Sequence, residues 1–212
     1  IVFIAFPTSA QGGRNRSLWI RRLDSTEAKM VPGTEATFLG SPFWSPDSRS
    51  VAFWADGLLR RIDISGGSAV TLCKTYGITP GAWNREGIIL FSPSGRLAPL
   101  SRIPATGGQA TTLNLLADDE TGQSHPRFLP DGRHFLYYSQ NRDPQNDGTY
   151  VGSLDPGAGR KLVLTNGRAA MFVSPGYLLF NRENMLMAQR FDLKRLEVIG
   201  EPRRVAEQVA TY

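Results

Sequence analysis

Apolar and polar positions along this chain alternate in short runs, and one phrase recurs four times. An aromatic or apolar residue precedes a turn built from Ser, Asn, Pro, Asp or Gly, and an apolar run follows. The phrase reads Trp44-Ser45-Pro46-Asp47 before Val51-Ala52-Phe53, and Trp83-Asn84-Arg85-Glu86-Gly87 before Ile88-Ile89-Leu90-Phe91. It returns as Phe128-Leu129-Pro130-Asp131-Gly132 before Phe135-Leu136-Tyr137, and as Val173-Ser174-Pro175-Gly176 before Tyr177-Leu178-Leu179-Phe180. A second phrase alternates and ends in an apolar residue plus Asp. Its copies are Leu18 to Asp24, Leu58 to Asp63, Leu100 to Pro104, Tyr150 to Asp155 and Met187 to Asp192. The third copy carries Pro104 in place of Asp.

These pieces have a physical logic. Pro presets φ at the second turn position, and Asp or Gly after it tolerates a tight reversal. The pairs Gly66-Gly67 and Gly107-Gly108 permit positive φ between later strands. The flanking runs are rich in branched and aromatic residues, as buried strands require. For the second unit the pattern predicts strands near 41–44, 50–54, 58–64 and 69–73. The stretch from Asp192 to Gly200 fits a helical face only in part, and the repeat register assigns it to a loop. The first-phrase anchors at 44, 83, 128 and 173 are spaced by 39, 45 and 45 residues. That is the period of a four-stranded propeller blade.

The predicted fold is therefore all-β. It is a β-propeller of four-stranded antiparallel blades with about five blades present, an incomplete ring or fragment. The single region 1–212 divides into units at approximately 1–34, 35–74, 75–115, 116–167 and 168–209. The first unit lacks its inner strand, and Val209 to Tyr212 is expected to begin another. An open arc exposes inter-blade faces and is expected to self-associate through its blade edges. Phe43, Trp44, Trp83 and Phe128 are expected to pack between blades.

Composition narrows the function classes. The chain begins at Ile1 without Met, inside an apolar run, and is read as a piece of something longer. No apolar stretch reaches the roughly 18–20 residues of a membrane helix. The single cysteine, Cys73, excludes an intrachain disulfide and a thiolate metal site, and is read as a small buried apolar residue. The net charge is +5, with 20 Arg against 4 Lys. The arginines are spread along the chain, and adjacent pairs such as Arg60-Arg61 point to opposite faces of a strand. No nucleic-acid partner is expected.

The stretches SPFWSPDSRSVAFWADGLLRRIDISGGSAVTLC (41–73) and FLPDGRHFLYYS (128–139) resemble TolB-type, WD40-like propeller repeats. YVGSLD (150–155), PGYLLFNRENMLMAQRFD (175–192) and GEPRRVAEQV (200–209) are similar to the C-terminal propeller of bacterial receptor-like Ser/Thr protein kinases. This resemblance implies an extracytoplasmic or periplasmic sensor region downstream of a kinase domain and a membrane helix. No kinase motif stands in this chain, so kinase activity would belong to a parent protein. Similar repeats occur in TolB and in the propellers of prolyl-oligopeptidase-like peptidases.

A search for chemistry yields little. There is no G-x-S-x-G elbow, and the two histidines, His125 and His134, lack the partners of a nucleophilic triad. No cofactor, metal or catalytic residue is expected. Asp118-Asp119-Glu120 and the stretch Asp143 to Gly148 are acidic without EF-hand spacing, and both are read as solvated loops. Asn15-Arg16-Ser17 matches the N-glycosylation pattern, without expected consequence. Propeller geometry places binding groups on or beside inner strands, at the channel rim. The candidates are Asn84, Arg85, His125 and Arg127, with the two arginines suited to a carboxylate or phosphate. The expected function is a non-catalytic ligand- or protein-binding sensor. The alternatives are a gating propeller of a serine peptidase and a TolB-like interaction scaffold.

Overall fold

The turn phrases close antiparallel hairpins, because each fixes a reversal that returns the chain beside itself. The computed structural model describes residues 1–6, 16–94, 98–113 and 116–209. These residues form five antiparallel sheets. The first holds β1 (Val2–Ala5), β2 (Ser17–Arg21) and β3 (Ala28–Met30). The second holds β4 (Phe43–Trp44), β5 (Ser50–Ala55), β6 (Leu58–Asp63) and β7 (Val70–Lys74). The third holds β8 (Ala82–Trp83), β9 (Ile88–Phe91), β10 (Ser101–Pro104) and β11 (Thr111–Thr112). The fourth holds β12 (Glu120–Phe128), β13 (His134–Asn141), β14 (Gly148–Ser153) and β15 (Lys161–Thr165). The fifth holds β16 (Arg168–Val173), β17 (Tyr177–Arg182), β18 (Met185–Asp192) and β19 (Glu197–Ala206). Every sheet is a meander in chain order. A single 3-10 turn, Pro144–Asn146, is the only helical element among the described residues. The five sheets are all-β blades of the predicted kind. Among the described residues the first has three strands.

The chain divides into two compact units, one carrying the first three sheets and the other the last two. In the first unit, β5 shows how a strand is buried on both faces. Side chains alternate along a strand. Val51, Phe53 and Ala55 join a cluster with Leu18 of β2 and Ile62 of β6. The intervening Ala52 and Trp54 join a different cluster with Phe43, Leu59, Ile89, Phe91 and Ile103. The second sheet is thus packed between the first and the third. Phe43 and Trp54 meet at 5.5 Å between ring centroids. In the second unit, Leu136, Val151, Val163 and Leu164 of the fourth sheet pack on Ala170, Leu178, Phe180 and Phe191 of the fifth.

The anticipated packing aromatics sort by neighbour. Phe43 is a core member between the second and third sheets, with Trp83 packed against the same cluster. Trp44 lies against the cluster shared with the first sheet. Phe128 instead meets Phe135 edge-on at 6.1 Å within its own sheet, since the two are cross-strand partners. Cys73 is half-buried on β7, and burial pushes its thiol pKa up. Two expectations need correction. Residues 192–200 are not one loop: the turn covers Leu193 to Leu196, and β19 starts at Glu197. Asp192 forces that turn, because its carboxylate accepts the N–H groups of Lys194 and Arg195. In the first copy of the second phrase the strand stops at Arg21, and Arg22 pairs with Asp24 in the turn beyond. Asn15 of the glycosylation pattern and the last residues of the strand expected after Val209 lie outside the described residues.

Candidate functional site

Two turns of the first unit carry the site candidates Asn84 and Arg85. In the turn between β4 and β5, the Ser45 hydroxyl accepts the Ser50 N–H at 2.9 Å and donates to Asp47 Oδ1 at 2.6 Å. In the turn between β8 and β9, Asn84 takes the same position with different atoms. Its Oδ1 accepts the Ile88 N–H at 2.8 Å, and its Nδ2 donates to Glu86 Oε2 at 2.8 Å. Asn84 is buried, and Gly87 closes the turn at φ +77°. The turn between β12 and β13 has Leu129 at that position, which has no polar atom to give. There Asp131 Oδ1 accepts the N–H groups of both Arg133 and His134.

Asn84 therefore works first as the turn's own fastener. Asn84→Ala is expected to cost about 1–2 kcal/mol by leaving the Ile88 N–H unpaired. Asn84→Ser should recover most of that loss, since Ser45 does this job in the neighbouring sheet. Urea unfolding of the two variants checks the ranking.

Beside these turns lies a cavity of about 320 Å³ lined by Ser45, Pro46, Asp47, Trp83, Asn84, Arg85 and Gly87. Two equivalent turns of adjacent sheets thus form its walls. The half-buried Trp83 and the exposed Pro46 are its apolar surfaces, and the exposed Arg85 brings the cation. Asp47 also lines the cavity, already engaged by Ser45 and the Arg49 N–H.

The turn carboxylates give the fold an acid limit. The Ser45 hydroxyl holds Asp47 below the usual carboxylate range, and the Ser65 hydroxyl and N–H do the same for Asp63. Backbone N–H groups of Arg195 and Lys194 depress Asp192. Burial pushes Asp131 up, but hydrogen bonds from His134 and Arg133 outweigh it and leave the carboxyl depressed. A depressed folded pKa stabilises above the unfolded value of about 3.9 and loses that contribution as pH falls through the folded value. The melting temperature should hold steady from neutral pH to about 5 and drop on acidification below about 4. Asp131→Asn should flatten part of that drop in a calorimetric pH series.

The other candidates, His125 and Arg127, lie in the second unit on β12. Ser124 pairs with Tyr138 and Arg127 with Leu136, so His125 and Pro126 together oppose Tyr137 alone. This is a β-bulge, and His125 adopts φ +54°, a conformation uncommon outside Gly. His125 Nδ1 lies 2.9 Å from Ser124 Oγ. Arg127 is half-buried, and burial pushes its guanidinium pKa down. The structure thus groups the candidates as two pairs, Asn84 with Arg85 and His125 with Arg127, one pair in each unit.

Sequence reasoning misread two acidic stretches. Asp118 and Asp119 do form a turn, but Glu120 begins β12 with its side chain fully buried. It pairs with Arg160 and Ser139 and accepts from Ala117 N–H at 2.9 Å and Gln123 Nε2 at 3.1 Å. Asp147 is likewise buried, accepting the Asn141 N–H and the Tyr138 hydroxyl, both at 2.8 Å. Burial together with the Asp147 bond pushes the Tyr138 pKa up to about 12. Both carboxylates are interior hydrogen-bond hubs rather than solvated loop residues. Each directly precedes or opens a strand, Asp147 before β14 and Glu120 at the start of β12. Among the described residues, no three His, Cys, Asp or Glu side chains are gathered to hold a metal, and no helix is long and apolar enough to cross a membrane.

No family model matches the sequence, and no curated protein matches it. Solved structures do match its fold. TolB from Acinetobacter baumannii aligns with a TM-score of 0.69 and 16% identity, over 91% of this chain and 49% of that one. A TolB-type protein from Agrobacterium tumefaciens aligns at 0.64 and 18%, over 85% of this chain and 66% of that one. The β-propeller domain of the Trilobed protease from Pyrococcus furiosus aligns at 0.60 and 14%, over 97% and 67%. The chain thus spans about half the length of the first TolB structure. At these identities the likeness concerns architecture, and the sheets described above are blades of a β-propeller fold similar to that of TolB.

Proposed function

We propose that this chain is a non-catalytic binding propeller whose turn cleft takes a carboxylate- or phosphate-bearing ligand. The observation that carries this reading is the cavity between the Ser45 and Trp83 turns, where the exposed Arg85 stands beside an indole and a proline ring. The turn residues around Arg85 are fastened by their own hydrogen bonds, so binding has to order the Arg85 side chain but not the turn that carries it. A guanidinium offers forked donors that match a carboxylate or phosphate. His125 and Arg127, on the β12 bulge, form a second candidate rim position in the other unit.

In this reading the chain is the sensor propeller of a bacterial receptor-like Ser/Thr kinase, extracytoplasmic in location. A gating propeller of a serine peptidase is the competing reading, favoured by the fold shared with the protease propeller domain of Pyrococcus furiosus. A TolB-like interaction scaffold is the third. The full reading frame separates them: a kinase domain and membrane helix supports the first, and an α/β-hydrolase domain the second.

Calorimetric titration with inorganic phosphate, citrate and a short peptide with a free C-terminal carboxylate tests the binding claim. At least one should bind the chain, and Arg85→Ala should weaken it by about tenfold, the loss of one charge-assisted pair. Failure of all three, or affinity unchanged in Arg85→Ala, would overturn the assignment.

A further inference from the structure

A second groove lies on the fifth sheet, away from the residues assigned above and independent of their reading. It has a volume of about 550 Å³ and runs between the β16–β17 turn and the β18–β19 turn, with Pro175, Tyr177, Leu193 and Ile199 among its walls. Tyr177 is 40% exposed, Leu193 40% and Ile199 46%, so apolar surface is open to solvent along it. The frame of the groove is firm. Asp192 holds the β18–β19 turn through two backbone N–H groups. Lys161 braces the same turn by donating to the Arg195 carbonyl at 3.0 Å and to Glu197 at 3.2 Å.

Charge decides what fits. Glu197 is shared between Lys161 and Arg195. Asp192 is held ionised but turned toward the turn's own N–H groups. Arg190 and Lys194 line the groove, both are exposed, and neither has a salt bridge among the described residues. The groove therefore joins an apolar floor to two cations, Arg190 and Lys194, against the one carboxylate of Asp192. A small anion would leave the floor wet, and an uncharged apolar segment would leave the groove's excess positive charge, above all Arg190, unmatched. A second copy of this chain is disfavoured on the adjoining edge. There β19 carries Pro202, Arg203 and Arg204 and two breaks in register, all of which blunt strand-to-strand pairing.

The geometry points to a docking groove for an extended acidic peptide, with an apolar or aromatic side chain seated against Tyr177, Leu193 and Ile199 and flanking carboxylates on Arg190 and Lys194. The volume suits a few side chains rather than a domain surface. Opposite charge at the rim sets association and specificity, and salt weakens it.

The test is fluorescence anisotropy of the intact chain with a fluorescein-labelled Asp-Glu-Leu-Trp-Asp-Glu peptide and its Lys-substituted counterpart. The acidic peptide should bind at least about tenfold tighter than the basic one, and its affinity should fall with added NaCl. Arg190→Glu should reduce binding about tenfold or more, and Lys194→Ala, on an exposed turn where folding is undisturbed, by about threefold. Ile199→Asp should remove the anchored side chain's contribution, and the effects of Arg190→Glu, Lys194→Ala and Ile199→Asp should persist in an Arg85→Ala background, where the other carboxylate site is removed. Equal binding of both peptides, or affinity indifferent to Lys194→Ala and Ile199→Asp, would overturn the assignment. So would a concentration-dependent dimer in light scattering that Ile199→Asp abolishes, since a second copy would then occupy the groove.

Discussion

Trp54→Ala is expected to lower the unfolding free energy by about 3–5 kcal/mol, as large-to-small changes of buried aromatics do. Trp54 is fully buried, on the face of β5 that meets the third sheet. It packs on Phe43 at 5.5 Å with the rings tilted by 48°. The chain makes room for it with glycine: a Cβ on Gly77 would collide with the indole Nε1 and stand 2.8 Å from the Ser92 carbonyl. Gly77→Ala should therefore be destabilising as well, by overpacking rather than by a void. Folded domains hold only about 5–15 kcal/mol in reserve, so a loss of this size leaves the chain marginal. Urea denaturation of Trp54→Ala and Trp54→Phe measures it. The Phe variant should retain most of the stability, because its ring still fills part of the slot. A loss under about 1 kcal/mol in Trp54→Ala would contradict the described packing of the second and third sheets.

Glu120→Ala should cost a comparable amount, about 3–5 kcal/mol, because it breaks a buried ion pair and leaves Arg160 without its carboxylate. The less obvious expectation concerns Glu120→Gln. All four groups around the carboxylate are able to donate: Arg160, Ser139, the Ala117 N–H and Gln123 Nε2. A Gln side chain would turn its NH₂ toward either Arg160 and Ser139 or Ala117 and Gln123. In each orientation at least one buried donor faces another donor. Glu120→Gln should therefore lose most of what Glu120→Ala loses, despite its matching shape. Arg160 also lies 4.6 Å over the Tyr150 ring, which holds the guanidinium in place. A double-mutant cycle with Arg160→Met isolates the pair, and the double variant should be less destabilised than the two singles combined.

The architecture was legible because it rests on local chemistry repeated along the chain. Ser45-Pro46-Asp47, Asn84 to Gly87 and Pro130-Asp131-Gly132 each specify a reversal from their own residues, and the apolar runs after them specify β5, β9 and β13. The double burial of β5 was written in Val51-Ala52-Phe53-Trp54-Ala55, a continuous apolar run with no solvated face. The polar interior was not legible. Glu120 and Asp147 look like any turn-flanking acids in one dimension. Their burial depends on Arg160 and Tyr138, which lie 40 and 9 residues away and carry no pattern of their own. The β12 bulge was legible only in part. Pro126 in Ser124-His125-Pro126-Arg127 marks an irregular strand position without saying where the register breaks, and the pairing with Leu136 and Tyr138 locates the extra residue. The candidate Asn84 illustrates a third limit. Its type and place were visible, but the engagement of its amide by Ile88 and Glu86 was not.

The binding claim meets its most direct test in a ¹H–¹⁵N spectrum of the labelled chain titrated with the carboxylate peptide. The Trp83 indole N–H and the amides of Arg85 to Gly87 should shift together and saturate, while the β6 amides stay in place, and Arg85→Ala should abolish the shifts. Saturable shifts that avoid Trp83 and Arg85, or that persist in Arg85→Ala, would contradict the account.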